Sequence, residues 1–290
     1  MASDPIVTPE TRVTENLIPP LNPALFKPSP FELAFLKAAI SDDECEIRAR
    51  VEDVQKDHKH PYPCIRAYHH VSLMMSMNKI YPRIVQAGKD NADAVLLDIG
   101  CCMGTDVRKL TSDGFPASQI LACDLRSEFL ALGHKLYADV ATCSIHFFPA
   151  DIFTIPISAS ASVIAEVSSE IAITQSTNIA DLIGRVTFIY TGALFHLWDE
   201  STQRALALRL ARLLKRVPGA IIFGRHQGLP EAGLIDDHLK RTRYGHLTSS
   251  WTGLWQSVFE EVEGPEFAKA KSCLQSILLQ RPRDFVEILA

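Results

Sequence analysis

The sequence predicts an α/β fold, a mostly parallel sheet with helices packed against it, and three observations carry that reading. Short, β-prone apolar runs recur at residues 94–97, 119–125, 144–150, 186–190 and 220–224. The first is too short for a helix and too continuously apolar for a strand with one wet face. Amphipathic stretches lie between them. From Thr105, Val107 and Leu110 fall on one side and Asp106, Arg108 and Lys109 on the other; in residues 200–216, Leu206, Leu210, Leu213 and Leu214 point inward and the basic residues outward. Finally, the first run breaks into Asp98-Ile99-Gly100-Cys101-Cys102-Met103-Gly104. Two glycines and two small thiols there make a tight turn that lets a ligand approach backbone N–H groups. Strand, glycine turn and helix in succession open a βαβ unit, whose ligand crevice lies at the carboxyl ends of the strands.

Composition bounds the reading from outside. With 290 residues, 47% of them hydrophobic, the chain can bury a core in one domain with an appendage or in two modest domains. No apolar run approaches a membrane span, and the first twenty residues carry acids and prolines rather than a basic segment followed by an apolar one, so no secretory signal is expected and the cytoplasm is the expected location. Seven cysteines form no CxxC pair and no repeated spacing, which argues against a zinc site and a disulfide framework. A net charge of −5 without a basic cluster argues against nucleic acid as a partner.

The elements follow in order. Residues 1–30 hold seven prolines, too many for regular structure, and read as an extended or mobile arm. Residues 31–56 are helical in pattern, and residues 64–85, rich in Met74, Met75 and Met77, read as a further helix. Residues 31–90 are therefore expected to form a helical lid on a core spanning 91–290. The second strand ends at Asp124, 20 residues after Gly104, where an acid can accept hydrogen bonds from both hydroxyls of a ribose, with Leu125 beside it. The third strand runs into Asp151-Ile152-Phe153. Residues 157–180 fit a loop or a helix. The fourth strand leads through Thr191 to His196 in the loop that follows, the residue placed best for substrate contact. The fifth ends at Arg225-His226, where an anionic substrate group or plain solvent would be met, and Trp251 and Trp255 either line a substrate pocket or simply pack. Residues 276–279 and 285–289 fit closing antiparallel strands.

The turn discriminates between cofactors. A dinucleotide fingerprint wants glycine at the first, third and sixth positions, but from Gly100 these are Gly100, Cys102 and Thr105. An acid closing the first strand suits instead a ligand carrying an ammonium and a sulfonium. The turn resembles the first motif, D-x-G-x-G-x-G, of the class I S-adenosylmethionine (SAM)-dependent methyltransferases, matching at Asp98, Gly100 and Gly104 and departing at Cys102. The runs PYPCIRAY (61–68), LLDIGCCMGTDVRKL (96–110), PADIF (149–153) and GALFHLWDE (192–200) together resemble the fungal methyltransferases of polyketide and meroterpenoid gene clusters.

That resemblance implies a Rossmann-like seven-stranded class I methyltransferase sheet, mostly parallel with an antiparallel last strand. It implies SAM as cofactor, leaving as S-adenosylhomocysteine, held by Asp98, Gly100, Cys102, Gly104, Asp124, Leu125, Asp151, Ile152, Phe153 and Thr191. It implies a small hydrophobic acceptor, met by His196 as catalytic residue and by Arg225, His226, Trp251 and Trp255. Family members that form methyl esters point to a carboxylate acceptor, already ionised at neutral pH; a phenol, with a pKa near ~10, would instead need His196 as a base. An NAD-linked enzyme, and a SAM-binding fold that only shapes a pericyclic step, remain alternatives. No metal requirement is expected, because only Asp199 and Glu200 accompany the loop after the fourth strand. A homodimer stays open as its assembly.

Overall fold

The computed structural model describes residues 20–57, 62–157, 172–235, 241–266, 275–279 and 285–289. The extended arm expected over 1–30 therefore lies largely outside the described residues, as does most of 157–180. The chain divides into two compact units, Glu15–Ala150 and a second that begins at Asp151.

In the first unit, α1 (Pro30–Ala39) starts at a full capping box: Ser29 accepts from the Glu32 N–H and Glu32 reaches back to Ser29, with Pro30 in the first turn. The helical pattern of 31–56 is interrupted after α1. Ser41 and Asp43 turn their side chains onto the N–H groups of Asp43 and Cys45, and α2 (Glu44–Asp57) begins afresh. The single helix expected over 64–85 is corrected. The segment is a short α3 (Pro63–Arg66), two one-turn 3-10 helices (His69–Val71 and Met75–Met77) and α4 (Tyr81–Asp90). Tyr68, at φ 62°, breaks the helical path. The N–H groups of Met74 and Met75 bond the Asp106 carboxylate rather than a carbonyl one turn back, and Thr105 Oγ1 donates to the His70 carbonyl at 2.5 Å. Tertiary partners on the start of the next helix outbid helical propensity here.

Three parallel strands follow, β1 (Leu96–Ile99), β2 (Ile120–Asp124) and β3 (His146–Pro149), in spatial order β3-β2-β1. They alternate with α5 (Thr105–Ser112) and α6 (Ser127–Tyr137). Every residue of β1 is buried, as a two-sided strand requires. Leu36, Ile47, Val51, Val54 and Ile65 from the amino-terminal helices share one apolar cluster with Met103, Phe129 and Leu136. Each such side chain contributes about 1.5–3 kcal/mol on burial, so the turn after β1 is anchored in this unit's own core.

The second unit contains β4 (Phe188–Gly192), α7 (Glu200–Leu213), β5 (Ile221–Gln227), a hairpin of β6 (Gly233–Ile235) and β7 (Arg243–Gly245), α8 (Thr248–Glu263), β8 (Gln275–Leu279) and β9 (Phe285–Leu289). β4 and β5 are parallel, and β9 runs antiparallel to both β5 and β8, giving the order β4-β5-β9-β8. The α/β class, the parallel strands and the antiparallel closing strand are thus as expected. Two points differ. β5 does not end at Gly224; Gln227 still pairs in register with Phe285 of β9, so Arg225 and His226 are strand residues. And α7 is only partly basic on a wet face: Arg204 reaches solvent as expected, but Arg209 and Arg212 are buried, Arg209 Nε donating to the Ile155 carbonyl at 2.9 Å and Arg212 to that of Pro156. Spending these guanidiniums on backbone carbonyls fixes the strap that follows Asp151. Arg108 and Lys109 of α5, expected outside, are also largely covered.

Candidate functional site

The turn after β1 is built around three left-handed residues, Gly100 (φ 80°), Cys102 (φ 54°) and Gly104 (φ 69°). Gly104 has no alternative: an added Cβ would lie 2.5 Å from the Phe147 ring and 2.8 Å from Arg108 Nη1. The N–H groups of Gly100 and Cys101 both donate to the Cys123 carbonyl, at 2.9 and 3.0 Å, and that of Gly104 to the Cys101 carbonyl at 2.8 Å. Cys102 holds the middle position, where the motif has glycine, and its N–H donates to Asp124 Oδ2 at 2.9 Å. The other Asp124 oxygen accepts from the Arg126 N–H at 3.0 Å. The carboxylate still has acceptor capacity left for a ligand hydroxyl.

The turn is acidic. Burial holds the Asp98 carboxyl well above the usual carboxylate range, with repulsion from Asp106 and Asp124 adding to it. Burial also raises Asp124, against the backbone hydrogen bonds from Arg126, Cys102 and Leu125 and the charge of Arg126. A buried acid of this kind regains its charge when a cation is brought to it. Leu125, next along, is 39% exposed and offers an apolar edge beside Asp124.

Sequence reasoning missed what holds the turn in place. Arg108, 8% exposed, donates from Nη1 to the carbonyls of Met103 (2.8 Å) and Gly104 (3.1 Å) and binds Asp139 with two nitrogens, at 2.6 and 3.1 Å. Its guanidinium lies 4.5 Å from the Tyr137 ring centre and 4.9 Å from that of Phe147. Burial works to raise Asp139, but the hydrogen bonds and charge of Arg108 overrule it and hold the carboxyl low. From α6, Gly133 lets the helix press on the turn; a Cβ there would be 2.3 Å from the Met103 carbonyl oxygen. The one sequence signal was the four-residue spacing of Gly104 and Arg108, a single helical turn.

The second unit carries the remaining candidates. Asp151 caps its own short turn, accepting from the Phe153 N–H at 2.9 Å, with Ile152 buried and the Phe153 ring edge-on to Trp198 at 5.5 Å. Thr191 is wholly buried at the end of β4, its hydroxyl without a hydrogen-bond partner among the described residues. His196 sits in a one-turn helix, Phe195–Leu197, and its Nδ1 accepts the Gln227 N–H at 3.2 Å. A backbone N–H only donates, so Nδ1 is the unprotonated nitrogen and the neutral ring carries its proton on Nε2. Burial, then the charges of Arg243, Arg241 and Arg225, push the His196 pKa down to about 3. His226 is fully buried, its ring centre 4.1 Å from Trp251. Trp251 and Trp255, each 1% exposed, pack edge-on against each other at 5.9 Å and against Phe195 at 4.8 and 6.0 Å, a triangle of three rings. The structure thus sets His226 and the two tryptophans as the closed aromatic floor beneath the His196 turn, and Arg225 half-buried on β5 beside it. Among the described residues no group of three or more His, Cys, Asp or Glu could hold a metal ion, and no helix is long and apolar enough to cross a membrane.

No protein-family model matches the chain. It is similar to O-methyltransferase phiE of a fungal species, 32% identical over 203 residues, which are 70% of this chain and 61% of that protein. It is also similar to the asnovolin E/chermesin D methyltransferase nvfJ of Aspergillus novofumigatus, 31% identical over 199 residues, 68% of this chain and 64% of that protein. The chain therefore spans less than two thirds of the length of these curated relatives. Its relatives are fungal methyltransferases, the class that the turn after β1 resembles. A looser likeness, TM-score 0.46 at 14% identity, runs to the Burkholderia thailandensis 1,6-didemethyltoxoflavin-N1-methyltransferase, over 91% of this chain and 90% of that one.

Proposed function

We propose that this chain is a SAM-dependent O-methyltransferase that forms a methyl ester on a carboxylate of a polyketide-terpenoid intermediate. The named activity of its relatives supports methyl transfer, and the turn after β1 suits the cofactor. The buried Asp98 carboxyl fits a ligand that brings its own positive charge, and Asp124 retains acceptor capacity for a ribose hydroxyl. In the first unit Gly100, Cys102, Gly104 and Leu125 would line the cradle; in the second, the family resemblance assigns Asp151, Ile152, Phe153 and Thr191 to the same cofactor. Bound there, SAM supplies an electrophilic methyl group on a cationic sulfur. The chain's task is then to hold the acceptor oxygen in line and keep water out, and positioning of that kind supplies several kcal/mol of barrier lowering.

The observation that carries the carboxylate over the phenol is the bond from the Gln227 N–H to His196 Nδ1. With Nδ1 occupied and its pKa near 3, the ring is a poor base for a phenol but a ready Nε2–H donor to an anion. The charge of Arg225 beside it favours the same ionised acceptor. Calorimetry with SAM and with NAD tests the cofactor; tight NAD binding without SAM binding would end this reading. Radiolabelled methyl transfer to matched panels of aromatic acids and phenols tests the acceptor, and label appearing in phenols alone would overturn the ester. Asp98→Ala should weaken SAM binding more than Asp124→Ala.

A further inference from the structure

We infer that Arg243, on the hairpin strand β7, is the positioning residue of this site, clamping the His196 turn to the end of β5 so that the ring offers a fixed Nε2–H. This rests on the reading of His196 as the group that orients the acceptor. Arg243 is 9% exposed, and its Nε donates to the His196 carbonyl at 2.6 Å while its Nη2 donates to Gln227 Oε1 at 2.8 Å. The Gln227 N–H returns to His196 Nδ1. Three residues thus close a ring of hydrogen bonds: turn carbonyl, guanidinium, glutamine side chain, glutamine N–H, imidazole. The partners of Arg243 stand 47 and 16 positions away in the sequence, so the bonds join segments that nothing local would bring together.

The ring sets two quantities at once. Fixing the backbone of the turn fixes where the imidazole points, and fixing Gln227 fixes which nitrogen is protonated. Lysine cannot substitute, because a single ammonium lacks the rigid fork needed to span both acceptors. β7 is held independently of Arg243: the Tyr244 N–H donates to the Trp198 carbonyl at 3.0 Å, and Gln203 Nε2 donates to the carbonyls of both Trp198 and Tyr244, at 2.9 and 2.8 Å. Removing the guanidinium should therefore free the turn while the hairpin stays docked.

The test is nitrogen-15 NMR of the His196 imidazole in the ligand-free full chain, the resonance identified by its loss in His196→Gln, alongside steady-state kinetics. Wild type should show one neutral tautomer with the proton on Nε2. Arg243→Lys should show a mixture of tautomers and a kcat lower by roughly tenfold to a hundredfold, with KM for SAM unchanged. Gln227→Ala, which keeps the backbone N–H but removes one anchor, should move both readouts less and in the same direction; it decides the matter if Arg243→Lys does not fold. A wild-type ring protonated on Nδ1, or variants with the wild-type tautomer and wild-type kcat, would overturn the inference. If the tautomer responds as stated and no acid or phenol accepts methyl, the clamp stands and the proposed activity falls.

Discussion

Substituting alanine for Gly104 isolates the turn after β1 from everything around it. Two costs add. A side chain at φ 69° gives up about 1–2 kcal/mol relative to glycine, and a Cβ placed 2.5 Å from the Phe147 ring and 2.8 Å from Arg108 Nη1 forces a shift worth about 1–3 kcal/mol. Neither neighbour can retreat freely: Phe147 lies under the guanidinium, and Arg108 is tied to Asp139 and to two turn carbonyls. The sum is about 2–5 kcal/mol, on the order of 5–15 °C in melting temperature for a unit of this size. Differential scanning calorimetry with and without SAM reads both halves of the argument. The variant should melt earlier, and SAM should restore less of the loss than it adds to wild type. A Gly104→Ala protein that melts with wild type and is stabilised equally by SAM would refute the geometry and the site together.

Breaking the partly buried Arg108–Asp139 pair by Arg108→Met should cost about 1–3 kcal/mol; a double-mutant cycle with Asp139→Asn checks it, and additive losses would deny the pairing. Asp98→Asn should raise stability at neutral pH. The folded-state pKa of Asp98 lies above its unfolded value, so its contribution is full below the unfolded pKa and is lost as pH rises through the folded one; melting profiles across pH 4–8 should be flatter in the variant. SAM binding that recharges Asp98 releases a proton, so affinity should rise with pH and lose this slope in Asp98→Asn. His196, His226 and His246 pull the other way. Burial lowers all three, to about 3 for His196 and about 4 for His246, so below pH 6.5 the unfolded chain takes protons the folded one refuses and stability falls; a melt unchanged between pH 7 and 5 would contradict this. His196→Ala should lower turnover with little change in SAM affinity by calorimetry.

Strands β1, β2, β4 and β5 were legible because burial on both faces leaves short apolar runs, which residues 94–97 and 188–190 show plainly. The glycine turn was legible because few residues tolerate its dihedrals. Residues 64–85 were misread because local periodicity says nothing of Asp106, which takes the N–H groups of Met74 and Met75 from a different element. The same blindness hid Arg108, Arg209 and Arg212: a basic residue on a helix reads as solvated until the carbonyls it serves are seen. Of the His196 neighbourhood, the histidine was visible from its place after β4, while Arg243 carried no signal, since its partners are fixed only by the hairpin.

β9 has a consequence for how the protein fails. It lies inside the sheet of its unit rather than at the rim, and its first residue stands opposite Gln227. Peeling it away would leave β5 as a raw border with unpaired backbone groups, at the point that steadies the histidine. Substitutions that loosen β9 should therefore be felt first at the Gln227 N–H and its bond to His196, and as self-association through the bared border of β5, before any general unfolding.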